Sequence, residues 1–299
     1  MKKAFSPYIL QKKFRLNSLD QLQPQKGALL KIMDSGAWGV ADLSPKPELG
    51  DDSIEFEINN GGPLYLRALE LAQEDLEARR AGKSLLQNKF IRNNFLINDY
   101  KTADLNQALY ANNILKIKGD RDIKHLSQVL NSMTADARIR LDFNSILSPD
   151  EYRDFLNLLT LETKNKIEYV EDPTVFNLKW KSWNSIIPLA FDFQNVKYDI
   201  EFAKFQIIKP GRQKVPYDIK NFTLTSAMDH PVGVAHGLRI AQQLAENDSG
   251  FLTLDLFEDI GFNKYFVQNK NYLNFSELAL QDIGIGMTEA LNNLQWVEL

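Results

Sequence analysis

Six short, mostly apolar runs in this 299-residue chain end in groups able to do acid–base or metal chemistry. Ile114-Leu-Lys-Ile-Lys carries Lys116 and Lys118, and Arg138-Ile-Arg-Leu-Asp-Phe-Asn carries Arg140, Asp142 and Asn144. Ile167-Glu-Tyr-Val-Glu-Asp carries Glu168, Glu171 and Asp172, and Pro188-Leu-Ala-Phe-Asp carries Asp192. Phe205-Gln-Ile-Ile-Lys carries Lys209, and Phe222-Thr-Leu-Thr-Ser carries Ser226. Asp142, Glu171 and Asp192 aimed at one point would repel and be costly to bury. A hard divalent cation would stabilise them, and oxygen-only ligands suit Mg²⁺. Lys118 and Lys209 would flank that metal. A lysine beside a cation in a closed mouth loses its proton more readily and can act as a neutral base. A metal facing a lysine base is the arrangement needed to remove a proton α to a carboxylate, with the metal stabilising the dianionic enediolate. Alone, a strand-end Asp more often caps a loop or pairs with a base, and a lone K-x-K more often marks a solvated face. Three carboxylates on successive runs bracketed by lysines are harder to obtain by chance.

The elements that must position these groups are legible from periodicity. The charged ends recur at intervals of 24, 29, 21, 17 and 17 residues from Lys118 to Ser226. A βα unit of a barrel takes about 25 to 30 residues, so the groups recur about once per unit, each where a strand gives way to its loop. Further short β-rich runs at Phe95–Asn98 and between helical stretches such as Pro149–Leu159 and Val232–Glu246 point to a parallel sheet. The fold class expected is α/β, a modified (β/α)7β TIM-like barrel with the site at the C-terminal strand ends. No G-x-G-x-x-G follows a first strand and no P-loop is present, so a nucleotide fold has little support. Residues 1–90 read as a small α+β unit: a strand at Ala28–Met33, a turn-rich stretch over Asp34–Asp52, and a helix over Leu64–Arg80 with Leu69, Ala72 and Leu76 at helical spacing. Residues 91–275 form the barrel and 276–299 a C-terminal segment.

Composition narrows the function classes. The formal net charge of -4 argues against a nucleic-acid surface. Zero cysteine excludes a disulfide scaffold, a thiolate zinc site and a Cys nucleophile. No run of about 18 apolar residues suggests a membrane span, and the basic start lacks an apolar signal region. A cytoplasmic enzyme or soluble binding protein is the expectation.

Read together, K-x-K, R-x-D-x-N, E-D-P, a strand-end Asp and I-K-P resemble the enolase superfamily, and within it the muconate-lactonising-enzyme subgroup. The pattern is most similar to the o-succinylbenzoate synthases. Gly36-Ala-Trp-Gly-Val-Ala-Asp-Leu-Ser-Pro resembles the G-W-G-E-x-x-P-L-P loop of that family's capping domain, Ala68–Arg79 its helix, and Leu252-Thr-Leu-Asp-Leu its final barrel segment. The resemblance implies that residues 276–299 return to the capping domain. It implies Mg²⁺, with Mn²⁺ as a substitute, on Asp142, Glu171 and Asp192. It makes Lys118 the base that takes the α proton and returns it to a leaving hydroxyl, Lys209 the opposing charge that stabilises the enediolate, and Lys116 the neutraliser of the substrate carboxylate. Arg140 and Ser226 become candidates for substrate contact, and Asn144 for support of the metal ligands from behind. The implied activity is the dehydration of a hydroxycyclohexadiene carboxylate in menaquinone biosynthesis. The implied partner is a small carboxylate substrate, with no nucleic acid or membrane, in a monomer or small homo-oligomer.

The chain departs from the family where Phe193 follows Asp192 in place of Glu, and where the loop Val40-Ala-Asp lacks the family's Glu. Asp199 is a substitute for Asp192 but ends no apolar strand. His230 and Trp38 are secondary candidates near the substrate. The same residues suit an N-acylamino-acid racemase or dipeptide epimerase, which uses both lysines as opposed bases, or a barrel retained only for binding. The motifs alone leave these open.

Overall fold

The computed structural model describes residues 1–13, 23–47, 50–105, 108, 114–133, 138–192, 199–216 and 220–298. Near the N-terminus β1 (Lys2–Leu10), β2 (Gln25–Asp34) and β3 (Ala37–Leu43) form an antiparallel meander. The turn-rich reading of Asp34–Asp52 is corrected by β3. Gly36 makes the turn at φ 83, but Gly39 lies inside the strand for a different reason. A Cβ there would sit 2.0 Å from Ala72 O and 2.3 Å from Leu76 N. Glycine at 39 therefore lets a helix approach the strand closely instead of breaking it.

That helix is α2 (Pro63–Arg80), preceded by α1 (Ile54–Asn60). Pro63 opens α2, where a missing N–H costs nothing, and Leu71, Ala72 and Leu76 bury against Leu30, Ile32 and Val40. Its buried Asp75 accepts from Val40 N (2.9 Å), Ile285 N (2.8 Å) and Arg79 Nε (3.0 Å). One carboxylate thus joins the helix, the hairpin and the C-terminal region. Burial pushes its pKa up against the pull of Arg79 and the two amides.

After the short β4 (Ile91–Arg92), seven parallel strands follow in chain order around one sheet. They are β5 (Phe95–Ile97), β6 (Ile114–Lys118), β7 (Arg138–Asp142), β8 (Ile167–Glu171), β9 (Leu189–Phe191), β10 (Phe205–Ile208) and β11 (Phe222–Leu224). Ser249 and Gly250 bridge to Asn93 on one side and Thr225 on the other, which closes the ring. The outward faces of β6 to β9 (Ile117, Leu141, Val170, Leu189) pack on Leu126 and Leu130 of α3 (Ile123–Ser132), Phe155 of α4 (Pro149–Leu158) and Trp180 of α6 (Trp180–Asn184). Between the last two runs α5 (Leu161–Lys166). Ser148 and Glu151 form a capping box that fixes the start of α4. Inside the ring Tyr169, Ala190 and Ile207 make an apolar layer. Among the described residues no helix separates β10 from β11, which accounts for the short 17-residue interval from Lys209 to Ser226.

Helix α7 (Pro231–Leu244) joins the two parts: Val232, Val234 and Leu238 share one core with Leu29, Val40 and Leu71. The chain ends with β12 (Phe266–Asn269), β13 (Tyr272–Phe275), α8 (Glu277–Leu280), α9 (Thr288–Asn292) and β14 (Val297–Glu298). β13 pairs with β4, and β14 pairs with β1 of the N-terminal sheet. Among the described residues no helix is long and apolar enough to cross a membrane.

Candidate active site

Parallel register sets the site. Lys118, Asp142 and Glu171 are direct partners across β6, β7 and β8, so their side chains leave the sheet at one level of the ring. Lys116, Arg140 and Tyr169 occupy the level below. The upper level opens into a cleft of about 800 Å³, open to solvent. Lys116, Lys118, Asp142, Asn144, Glu171, Asp192, Lys209 and Ser226 all line it.

The charges are paired across neighbouring strands. Lys118 Nζ donates to Asp142 Oδ2 at 2.5 Å. Lys116 Nζ reaches the same oxygen at 2.9 Å and Glu171 Oε2 at 2.6 Å. Lys209 pairs with Asp192. Burial opposes the charge on Lys116, but Asp142 and Glu171 outweigh it and hold the ammonium well above its ordinary range. Burial likewise works against ionised Asp142 and is overcome by Lys116 and Lys118, so its pKa falls. Asp192 is lowered in the same way by Lys209 and Lys116, against burial. Glu171 goes the other way: burial and the nearby Asp142 raise it, with Asp192 adding to the repulsion. Mutual repulsion among three hard oxygen donors on one cleft is the donor chemistry that suits a divalent cation such as Mg²⁺. As placed, the carboxylates lean onto lysines, and among the described residues no three acidic or histidine groups converge on a common point.

The loops behind these strand ends hold unusual backbone. Asn144 (φ 48) and Asp172 (φ 40) adopt the left-handed region, which Asn and Asp tolerate better than most residues. The turn aims the Asn144 N–H at Asp142 Oδ1 (3.1 Å), so support for that carboxylate comes from the main chain. Asp172 Oδ1 accepts from Asp192 N (3.3 Å). Gly119 follows Lys118 because a Cβ there would lie 2.4 Å from the Phe143 ring. Ser226 Oγ accepts from Met228 N (2.9 Å) and Thr253 Oγ1 (3.1 Å), which shapes the opposite wall.

Other expected positions are corrected. Arg140, a candidate for substrate contact, is fully buried below the cleft. Its guanidinium is committed to Glu168 Oε2 (2.6 Å), Asn94 Oδ1 (3.0 Å) and the Asp248 carbonyl (2.9 Å), and it stacks on Tyr169. It ties the barrel floor together. His230 is buried between Tyr8 and Phe262, accepts from Val232 N through Nδ1, and does not line the cleft. Burial pushes its pKa down to about 3, so it stays neutral. Trp38 packs beneath Arg79 and Lys31, and Asp199 is exposed and caps a local turn. Phe193 lies outside the described residues.

Two charged cleft residues escaped the sequence reading: Lys46, from the loop after β3, and Arg212, three residues after Lys209. The signal available was the charge in Ser44-Pro-Lys-Pro directly behind a conspicuous glycine-containing hairpin.

Residues 4–78 match the family described as O-succinylbenzoate synthase, N-terminal domain. The chain is 30% identical to the o-succinylbenzoate synthase of Bdellovibrio bacteriovorus over 332 aligned residues, covering 100% of this chain and 99% of the relative. Solved structures share the fold at low identity. One is a muconate lactonizing enzyme from Pseudomonas fluorescens in complex with muconolactone (TM-score 0.73, 14% identity, 99% of this chain and 96% of that one). Another is a dipeptide epimerase from Methylococcus capsulatus in complex with Mg and a dipeptide (TM-score 0.67, 14% identity, 96% and 99%). With a barrel of the fold these enzymes share, a strand-end cleft of lysines and carboxylates, and a relative at this identity across its whole length, the chain belongs to the o-succinylbenzoate synthase family of enzymes.

Proposed function

We propose that the protein dehydrates 2-succinyl-6-hydroxy-2,4-cyclohexadiene-1-carboxylate to o-succinylbenzoate, the reaction that serves menaquinone biosynthesis. The observation that carries this reading is that Lys118 at the end of β6 and Lys209 directly after β10, four places apart in a ring of eight, line one cleft with three carboxylates. Asp142, Glu171 and Asp192 would hold Mg²⁺, which when bound supplies a Lewis acid for the substrate's ring carboxylate.

Lys118 Nζ, in its neutral form, takes the proton from the ring carbon that bears the carboxylate. It then delivers that proton to the departing hydroxyl on the same face. One C–H and one C–O bond break, a ring double bond forms, water leaves, and the lysine ends as it began. Lys209 acts from the opposite face, where its positive charge offsets the negative charge that develops on the carboxylate. Lys116, held charged by Asp142 and Glu171, orients that carboxylate. The product ring is aromatic, so the step is downhill, and a single positioned base with electrostatic support suffices.

Incubating the protein with the cyclohexadiene acid, and separately with N-succinyl amino acids in D₂O, tests this reading. Conversion of the first to the aromatic acid is expected. Solvent deuterium entering the amino acid with no conversion of the diene would replace it with racemisation.

A further inference from the structure

A buried pair of acids lies where the N-terminal sheet meets one wall of the cleft. Ser226, Ala227 and Met228 line that wall and lead through Asp229 and His230 into α7. Groups from the N-terminal part hold this turn. Gln25 Nε2 and Lys46 Nζ donate to Met228 O (2.9 and 3.2 Å), and Asp42 Oδ2 accepts from His230 N (3.0 Å). Within the turn, Asp229 Oδ2 accepts from Ala227 N (3.0 Å) and from Ser226 Oγ (3.4 Å). Asp42 and Asp229 are each only 7% exposed, and neither lines the cleft. Gly233 in the first turn of α7 leaves room for both. A Cβ there would lie 2.7 Å from Asp229 Cβ and 2.7 Å from Asp42 Oδ2, so these two atoms are no more than twice that distance apart.

The groups that face Asp42 do not balance both acids. Tyr8 Oη of β1 donates to Asp42 Oδ1 (2.6 Å), and burial first and Asp42 second keep that phenol protonated. His230 is neutral and gives Asp42 its main-chain N–H. Lys46 acts on Asp42 through its charge. A small cavity beside the pair is also lined by Ser44, by Arg212, and by Leu64 and Leu71 of α2, and Arg212 is paired with Asp51. Among the described residues here, the three carboxylates Asp42, Asp51 and Asp229 face the two cations Lys46 and Arg212. One proton makes the group neutral, and a buried charge left unbalanced is costly. Burial first and Asp229 second push the Asp42 pKa up to about 8, against the pull of Tyr8, Lys46 and the His230 amide.

We infer that one proton, held by Asp42 against Asp229, latches the N-terminal sheet onto the turn 226–230, and that its release in mildly alkaline solution loosens this wall of the cleft. Asp42 and Asp229 are positioning residues that act through Ser226, Ala227 and Met228. Once Asp42 ionises, two buried carboxylates repel across the contact, so substrate binding weakens as pH rises. With only the latched form binding well, apparent affinity falls in proportion to the protonated fraction, which is about one tenth at pH 9. The effect on substrate rests on the dehydratase reading, whereas the shared proton does not.

Infrared spectra in D₂O and pH profiles of KM for the wild type, Asp42→Asn and Asp229→Asn test it. The wild type at pH 7 should show a protonated-carboxyl stretch that Asp42→Asn lacks and that fades by pH 9. Wild-type KM for the cyclohexadiene acid should rise by about tenfold between pH 7 and pH 9. KM should stay nearly flat in Asp42→Asn, which has no proton to lose there, and in Asp229→Asn, where an ionised Asp42 is balanced. The pH profile of kcat should have one shape in all three proteins. Parallel KM profiles, or no carboxyl band that separates the wild type from Asp42→Asn, would overturn the inference. If the wild type does not convert the diene, the dehydratase reading fails on its own. Hydrogen exchange at the Met228 and His230 amides then decides the latch. Exchange at pH 9 that outpaces the intrinsic pH effect in the wild type but not in Asp42→Asn supports it, and equal exchange in the two opposes it.

Discussion

Replacing Lys118 with methionine removes the base and leaves an unbranched side chain one heavy atom shorter. Two separate magnitudes follow from the structure. For folding, Asp142 loses one of two ammonium partners but keeps Lys116 at 2.9 Å and the Asn144 amide at 3.1 Å. The cost should therefore stay near 1 kcal/mol, well short of the roughly 3–5 kcal/mol of stranding a buried charge. For chemistry, a positioned acid or base contributes about 10² to 10⁴ in rate. Lys118 is used twice in the proposed cycle, in removing the proton and in returning it, so the loss belongs at the upper end. A drop of about 10⁴ corresponds to about 5.4 kcal/mol of barrier at 1.36 kcal/mol per tenfold. Steady-state formation of the aromatic product, beside a thermal melt of each protein, separates the two effects. KM should move little, because Lys116, Lys209 and Lys46 still face the cleft. A folded Lys118→Met protein that kept more than about a tenth of the wild-type kcat would refute Lys118 as the base.

Arg140→Leu should leave KM nearly unchanged and cost about 3 kcal/mol in denaturant unfolding, because it takes the donor from the buried Asn94 Oδ1 and Asp248 carbonyl and leaves Glu168 only its 3.4 Å contact with Arg138. A large KM effect in a stable protein would return Arg140 to the substrate. Asp42, buried beside Asp229 where it accepts from Tyr8 Oη (2.6 Å) and His230 N (3.0 Å), has its pKa pushed up from 3.8 to about 8, by burial first and by Asp229 second. The folded chain thus holds a proton that the unfolded chain releases. Stability from this group is fully present below about pH 4, is lost as pH rises from there through about 8, and is flat above. Unfolding free energy measured over that window should fall more steeply in the wild type than in Asp42→Asn, and parallel curves would contradict the assignment.

The strand ends were legible because an inward-facing charge on a parallel strand buried on both faces stands out against apolar neighbours, and register then brings Lys118, Asp142 and Glu171 to one level. Period-two alternation places residues on a face but not at a height. Arg140 shares its inward face with Asp142 two residues on, and only the tertiary partners Glu168, Asn94 and Asp248 show that it points to the floor. Strand β3 was hidden by Gly39, whose reason is the approach of α2 from 33 residues away in sequence (Ala72 against Gly39). Lys46 and Arg212 were missed for a related cause. Arg212 reaches Ser44 and Asp51, on either side of Lys46, only when the N-terminal sheet docks on the barrel, a contact between segments more than 160 residues apart that local pattern cannot report.

Metal-dependent turnover is the most direct test of the proposed chemistry. Purified protein should convert the cyclohexadiene acid to o-succinylbenzoate with Mg²⁺, stop when EDTA is added, and resume when Mg²⁺ is restored in excess. Conversion at an undiminished rate in EDTA, or no conversion by protein shown to bind Mg²⁺, would contradict a carboxylate-held metal working with Lys118 in this cleft.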